Sequence, residues 1–383
     1  MMPRSSIRRL NWQLYRQLFA AFALCAAAAS HAAANEPIER QTLFAADTHG
    51  YHTFRIPSLI VTPGGTALAF CEGRKQSTSD AGDIDLVMRA SSDGGKTWNP
   101  PRVIWDDGAN TCGNPCPVID LATGAVHLLL THNRGDDAES EIVGGTAQGS
   151  RTVWQMTSSD DGATWSPPRE ITPQVKRDHW TWYATGPGVG IQTSAGRLLI
   201  PCDHTTAGDR AMCSHVIYSD DHGQRWQIGG VVGPRLNECQ IAELSDKTLL
   251  LNMRSYHKQG CRFASKSDDG GLTWTVPEPD RALIEPVCQA SLLRWSPGDT
   301  ADRRLLFANP ASRKRERLTV RLSRDDGATW PLSRVLHTGP AAYSCLARLK
   351  NNQVAGLYEC GDKSPYQRIE LATFDLDSFD ERH

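Results

Sequence analysis

The chain has 383 residues, with 41 Lys and Arg against 43 Asp and Glu, a formal net charge of −2. That balance lacks the basic excess a nucleic-acid partner demands, so nucleic acid is excluded as the main partner. A chain this long buries a core without disulfide staples, so its 11 cysteines need not pair.

Residues 1–34 read as a signal peptide. Arg4, Arg8, Arg9 and Arg16 give a positive start, Leu18 to Ala29 is an apolar run, and Ala32-Ala33-Ala34 offers a small-residue cleavage site. The run is too short to span a bilayer comfortably. The expectation is export, to a secreted or periplasmic location, with no stable membrane insertion. The body, 35–383, reads as one domain: no linker divides it and no helical periodicity is sustained.

Five similar segments recur along the body: "SSDGGKTW" (91–98), "SSDDGATW" (158–165), "SDDHGQRW" (219–226), "SDDGGLTW" (267–274) and "SRDDGATW" (323–330). Asp and Gly supply turn chemistry and the terminal Trp packs against the scaffold. Alternating segments such as "IDLVMRAS" precede them, so each box joins two antiparallel strands. In the third box Arg225 stands where the other four have Thr.

A second element recurs six times. It is a turn followed by an apolar strand: "PGGTALAF", "ATGAVHLLL", "SAGRLLI", "SDKTLLL", "TADRRLLF" and "KNNQVAGLY". Another strand precedes each copy. Four strands per unit and six units predict an all-β chain, a six-bladed β-propeller of four-stranded antiparallel blades. The strand near "QTLFAA" (41–46) is expected to complete the last unit.

The boxes are architecture. Chemistry is expected where equivalent positions differ. The first strands of successive units begin with Arg55, Asn114, Gly188, Glu238, Cys288 and Tyr343, and in a propeller these ends face one cavity. Charged and phenolic groups there do not suit a purely structural role.

"FRIPSL" (54–59), "AFCEGRKQSTSDAGDIDLV", "GNPCPV", "NECQIAEL", "LLLNMRS", "NPASRKRERLTVRLS" and "AYSCLARL" occur in one order over 40–375. This ordered set, with the boxes behind it, resembles the exo-α-sialidases of the bacterial type, glycoside hydrolase family 33. The resemblance implies hydrolysis of terminal α-linked sialic acids on glycoproteins, glycolipids and oligosaccharides, with no metal and no cofactor. It implies an arginine triad for the substrate carboxylate, carried over to Arg55, Arg254 and Arg315, with Arg313 and Arg317 as rivals to the last. Arginine suits this because its planar fork pairs both carboxylate oxygens and keeps its charge.

The resemblance also implies a Tyr nucleophile, Tyr343, activated by Glu238, with Glu243 as the competitor. A neutral hydroxyl is not repelled by the adjacent carboxylate, and sialidases are the known exception to the two-carboxylate glycosidase scheme. Nearby arginines are expected to lower the Tyr343 pKa. Asp80 carries over as acid and base, with Asp83 and Asp85 as alternatives in the same loop. Arg74 is expected to contact ring hydroxyls. Val189 is expected to alter the pocket for the substrate's side groups. Trp180, Trp182 and Tyr183 supply either a sugar-facing wall or core, and Asp136 to Glu141 reads as a solvated acidic loop. Transfer of sialic acid to another sugar, intramolecular cleavage, and a non-catalytic sialoglycan-binding propeller stay open beside hydrolysis. No feature of the sequence sets an oligomeric state.

Overall fold

The computed structural model describes residues 38–381. The signal-peptide reading of 1–34 lies outside them. The described residues are almost wholly antiparallel β.

The first strand, β1 (Glu39–Ala45), pairs with the last long strand of the chain. Then β2 (Thr53–Val61), β3 (Ala67–Arg74), β4 (Ile84–Ser91) and β5 (Arg102–Trp105) form an antiparallel meander. A second runs through β6 (Thr111–Ile119), β7 (Val126–Asn133), β8 (Thr152–Ser158) and β9 (Arg169–Glu170). It carries a short helix, α1 (Glu139–Gly144), between β7 and β8. The third has its first strand in two pieces, β10 (Trp180–Thr185) and β11 (Ile191–Gln192), both paired to β12 (Leu198–Thr206), then β13 (Met212–Ser219) and β14 (Gln227–Val232). The fourth is β15 (Leu236–Glu243), β16 (Leu249–Ser255), β17 (Cys261–Ser267) and β18 (Glu278–Ile284).

The fifth comprises β19 (Ser291–Arg294), β20 (Leu305–Pro310), β21 (Glu316–Ser323) and the first half of the long strand β22 (Leu332–Arg348). The second half of β22 opens the sixth, with β23 (Gln353–Cys360) and β24 (Arg368–Asp375). There β1 takes the outer place, with Glu39 opposite Thr373 and Ala45 opposite Arg368, as the sequence leads one to expect.

The core lies between meanders. Phe70 and Leu86 of the first pack with Leu128 and Leu130 of the second. Val118 and Leu129 meet Ile200 and Cys202, and Leu199 and Val216 meet Ile241 and Leu251. Leu250 meets Phe307, Leu306 and Val320 meet Val354 and Phe374, and Leu357 and Leu371 meet Leu59 and Ala69. The last contact joins the sixth meander to the first. Strands that pack on both faces read as continuous apolar runs, which is why the apolar strand of each unit stands out in the sequence.

All five boxes form the same turn. In the first, Ser91 Oγ donates to Asp93 Oδ1 at 2.8 Å and accepts from the Gly95 amide at 3.0 Å. The Thr97 hydroxyl donates to Asp93 Oδ2 at 2.6 Å. The fourth repeats this with Ser267, Asp269 and Thr273. In the third, Asp221 receives the Arg225 amide at 2.9 Å, and the hydroxyl bond is missing because Arg225 has none to give.

Candidate active site

The meanders converge on a cavity of about 550 Å³. Arg55, Arg74, Asp80, Glu238, Arg254, Arg315 and Tyr343 all line it. The innermost strands reach it through irregularities in their pairing. Register shifts fall between Arg55 and Ser58, Gly113 and Cys116, Trp180 and Tyr183, Leu236 and Cys239, and Ala341 and Ser344. A bulge of this kind re-aims side chains that a regular strand would send alternately to opposite faces. Thus Arg55, Asn114, Trp182, Glu238 and Tyr343 all face the cavity.

Tyr343 and Glu238 are in contact. The buried phenol donates to Glu238 Oε1, and Glu238 Oε2 accepts from Arg254 Nη1 at 2.6 Å. The same Arg254 nitrogen lies 3.2 Å from the Tyr343 oxygen, and Arg254 Nη2 donates to the Tyr256 hydroxyl at 2.7 Å. The expected fall in the Tyr343 pKa is not what the structure gives. Burial and the Glu238 charge push the phenol well above its ordinary value, outweighing Arg254 and Arg55, which act downward. Tyr343 therefore rests as a neutral hydroxyl.

Arg55 is buried on β2. Its Nε donates to Glu359 Oε1 at 3.1 Å and its Nη1 meets Asp80 Oδ1 at 3.3 Å. Its guanidinium lies 4.3 Å from the centre of the Tyr366 ring. Arg315 donates to the Tyr366 hydroxyl at 2.7 Å and sits 5.6 Å from the centre of the Tyr343 ring. Its rivals Arg313 and Arg317 do not line the cavity. Asp80 reaches in from the loop after β3, its side chain 46% exposed. Burial raises its pKa, but Arg74 and Arg55 outweigh this and hold the carboxyl below its usual range.

Arg74 has a different place from the one expected. Nε and Nη2 donate to Glu72, Nη2 also to Asp80, and Nη1 to the carbonyls of Thr78 and Ser79. All five N–H groups are engaged by the protein, so Arg74 clamps the Asp80 loop and keeps no donor for a sugar hydroxyl.

Asp83 and Asp85 are both taken up by Lys75, at 2.9 and 3.2 Å, and Asp85 also accepts from Tyr51 at 2.6 Å. Glu243 stands at the far end of β15, bonded to Ser194. The aromatic trio divides. Trp182 lines the cavity, while Trp180 and Tyr183 are core, with Trp180 stacked on His204 at 3.6 Å.

Three more expectations need correction. Val189 lines an apolar hollow with Leu59, Ile241 and Leu346, not the cavity, because the chain from 186 to 190 separates β10 from β11. Gly188 stays out of the cavity lining, since the third meander begins at Trp180, and so does Cys288, which is packed with Ile56, Ala342 and Tyr343. The acidic run is only partly a solvated loop: Asp137 is buried and caps the amides of Gln148 and Gly149, and Glu139 on α1 lines the cavity.

Four cavity-side groups escaped the sequence reading. Glu359, fully buried on β23, accepts from Arg55 and from the amides of Ile56 and Tyr343, fixing two cavity strands together. Glu72 holds Arg74 and accepts the Asn114 amide at 2.8 Å. Buried Arg151 donates to Asn133, Asn114, Thr131 and the Tyr183 carbonyl. Asp203 is fully buried on β12. Glu359, Glu72 and Asp203 fall within strands, where a charge reads as an outward-facing position, and Arg151 stands just before β8.

The BNR repeat-like domain family matches residues 65–355. The sialidase of Micromonospora viridifaciens is 34% identical over 88% of this chain and 54% of its own length. Human sialidase-3 is 30% identical over 89% of this chain and 92% of that one. The chain belongs to the sialidase family. The solved structure of the Hadza microbial sialidase Hz136 superimposes on this sialidase-family chain with a TM-score of 0.81 at 31% identity, covering 89% of this chain and 69% of the other. The chain thus spans about half the length of the bacterial relative it matches.

Proposed function

We propose that this chain is an exo-α-sialidase that releases terminal α-linked sialic acids from glycoconjugates with retention of configuration. The observation that carries the reading is the hydrogen-bonded Tyr343–Glu238–Arg254 cluster, facing the same cavity as Arg55, Arg315 and Asp80. The substrate carboxylate pairs with Arg55, Arg254 and Arg315. Arg315 has only neutral hydrogen-bond partners, so its charge is available to an incoming anion.

In the first step the Tyr343 oxygen attacks the anomeric carbon as its proton passes to Glu238, and Asp80 protonates the departing oxygen. A phenol whose pKa is raised makes a weak nucleophile in advance of the reaction. Proton transfer to Glu238 is therefore part of the attack and not a prior ionisation. In the second step Asp80 takes a proton from water, water attacks the same carbon, and Tyr343 leaves with its proton returned from Glu238. Two displacements give net retention. Arg74 and Glu359 act by position: one holds Asp80, the other Arg55 and the Tyr343 backbone.

The wider reading is a six-bladed β-propeller, each meander a blade and β1 the strand that closes the ring. The six interfaces between consecutive meanders support it, as does the likeness to Hz136. Export after cleavage near residue 34 completes the proposal, and sialylated glycans are the partners. A 2,3-difluorinated sialic acid tests the nucleophile. Peptide mapping should find a stable sialosyl adduct on Tyr343. An adduct on another residue, in active protein, would overturn the assignment.

A further inference from the structure

The cationic run that follows β20 is larger than the proposed reaction needs. The turn 311–315 carries Arg313, Lys314 and Arg315 in succession, and only Arg315 lines the cavity. Arg313 and Lys314 are exposed. The neighbouring turn, 256–260 between β16 and β17, is built alike: Tyr256 lines the cavity and Lys258 is exposed beyond it. The two turns touch. Arg313 lays its guanidinium against Gly260, so closely that a Cβ there would fall 2.7 Å from Arg313 Nη1. Arg313 and Lys258 thus share one stretch of rim, beside the cavity arginines Arg254 and Arg315.

This stretch of rim is not neutralised. Among the described residues, none of Lys258, Arg313 and Lys314 has a carboxylate within ion-pair distance. The acids nearby are engaged elsewhere: Glu316 accepts from Ser312 Oγ at 3.0 Å, and Glu285 pairs with Arg262 at 2.8 Å. At the other end of β20 the pattern is the opposite. There Arg303 pairs with Asp326 and Arg304 with Asp302, each at 2.7 Å. Cations that find acids at one end of a strand and none at the other leave an uncompensated positive potential at the cavity mouth.

The chemistry that meets this potential follows from the substrate. In the proposed reaction the carboxylate and the leaving oxygen sit on the same carbon. With the carboxylate on Arg315, the leaving sugar starts next to the turn 311–315. It stays at the open mouth, because Asp80, which protonates it, has its side chain 46% exposed. An anionic substituent on that sugar comes within reach of exposed guanidinium and ammonium groups, which pair with oxyanions. We infer that Arg313, with Lys258 and Lys314, forms a subsite for an anionic group on the leaving sugar, either the carboxylate of a second sialic acid or a sulfate ester. The inference rests on the sialidase reading above. It makes the enzyme favour a charged leaving sugar over its neutral counterpart.

The test uses two pairs of substrates that differ only in charge on the leaving side. One pair is α2,3-sialyl-N-acetyllactosamine with and without a 6-O-sulfate on the N-acetylglucosamine. The other is an α2,8-linked sialic acid dimer with its inner carboxylate free or converted to the amide. kcat/KM is measured for wild type, Arg313→Lys and the double variant Arg313→Gln/Lys258→Gln, at about 20 mM and about 300 mM salt. Each preference is a ratio within one protein, so a general loss of activity cancels. At low salt wild type should favour the charged member of at least one pair by about three- to tenfold. The pair concerned tells sulfate from carboxylate, and a preference in both means that either oxyanion serves. Arg313→Lys should keep the preference. The double variant should bring it within about twofold of unity, and high salt should do the same to wild type. No preference in either pair would overturn the inference. So would a preference undiminished in the double variant, which would leave the rim a solvated face. Where the double variant does not fold, Arg313→Gln alone takes its place. Failure of folded wild type to release sialic acid from any of the four substrates would instead sink the sialidase reading, and the inference with it.

Discussion

Glu238 meets Tyr343 through one oxygen and Arg254 through the other. Glu238→Gln keeps the shape but removes the proton acceptor, so kcat should fall by about 10²–10⁴-fold, with KM little changed. Steady-state kinetics of the folded variant check this, and an unchanged kcat would exclude Glu238 as base. Arg315→Met should act mainly on binding, since one charge-assisted contact of about 1.5–3 kcal/mol corresponds to roughly a 10- to 150-fold rise in KM.

Asp80 supplies a pH prediction. Arg74 and Arg55 outweigh burial and keep it ionised to lower pH than usual. A bound carboxylate neutralises Arg55, so the Asp80 pKa rises on binding, and the acid form persists to higher pH. The basic limb of kcat on a natural sialoside should therefore lie at higher pH than that of kcat/KM. Coincident limbs would mean that Arg55 does not couple the two sites. At this scale the sequence is informative where resemblance names a residue, as with Tyr343 and Asp80. It is silent on Glu359 and Asp203, because burial of a charged strand residue depends on neighbours far along the chain.

The boxes act at the scale of the element. Each ties a strand end to the next strand through one aspartate and two hydroxyls, without touching the cavity. The third lacks one hydroxyl, so Arg225→Thr should stabilise the fold by about 0.5–1.5 kcal/mol, read by chemical denaturation. Bonds from Thr164 hold the Asp160 carboxyl down to about 2. A carboxyl depressed on folding stabilises above its unfolded pKa, near 3.9, and that contribution disappears as pH falls through its folded pKa. The stability gap between wild type and Asp160→Asn should therefore narrow between pH 5 and pH 2. A constant gap would show that the aspartate's ionisation is immaterial. The boxes were legible because a turn is local chemistry. The innermost strand of the third meander was not. Its two pieces, β10 and β11, are joined only through their shared partner β12, and the "GVGIQT" stretch covers just the second.

For the molecule as a whole, β1 matters more than its position suggests. It pairs along β24, and its Leu43 and Phe44 enter the core between the sixth and first meanders. Removing 38–45 exposes a strand edge and leaves a cavity where each large side chain stood, at about 2–5 kcal/mol per side chain. The unfolding midpoint should drop sharply and the shortened chain should aggregate. An unchanged midpoint would mean the sixth meander is stable with three strands. The repeat count, the use of the N-terminal strand and the convergence of Arg55, Glu238 and Tyr343 were all readable from period alone. The irregular pairings that aim those side chains were not, because a bulge leaves no mark on composition.

The central claim is that Tyr343 carries sialoside hydrolysis, and release of 4-methylumbelliferone from its α-N-acetylneuraminide by wild type and Tyr343→Phe tests it most directly. The account predicts steady release by wild type and, in the equally folded variant, a loss of about 10²-fold or more. Release by Tyr343→Phe at the wild-type rate, or none by folded wild type, would contradict it.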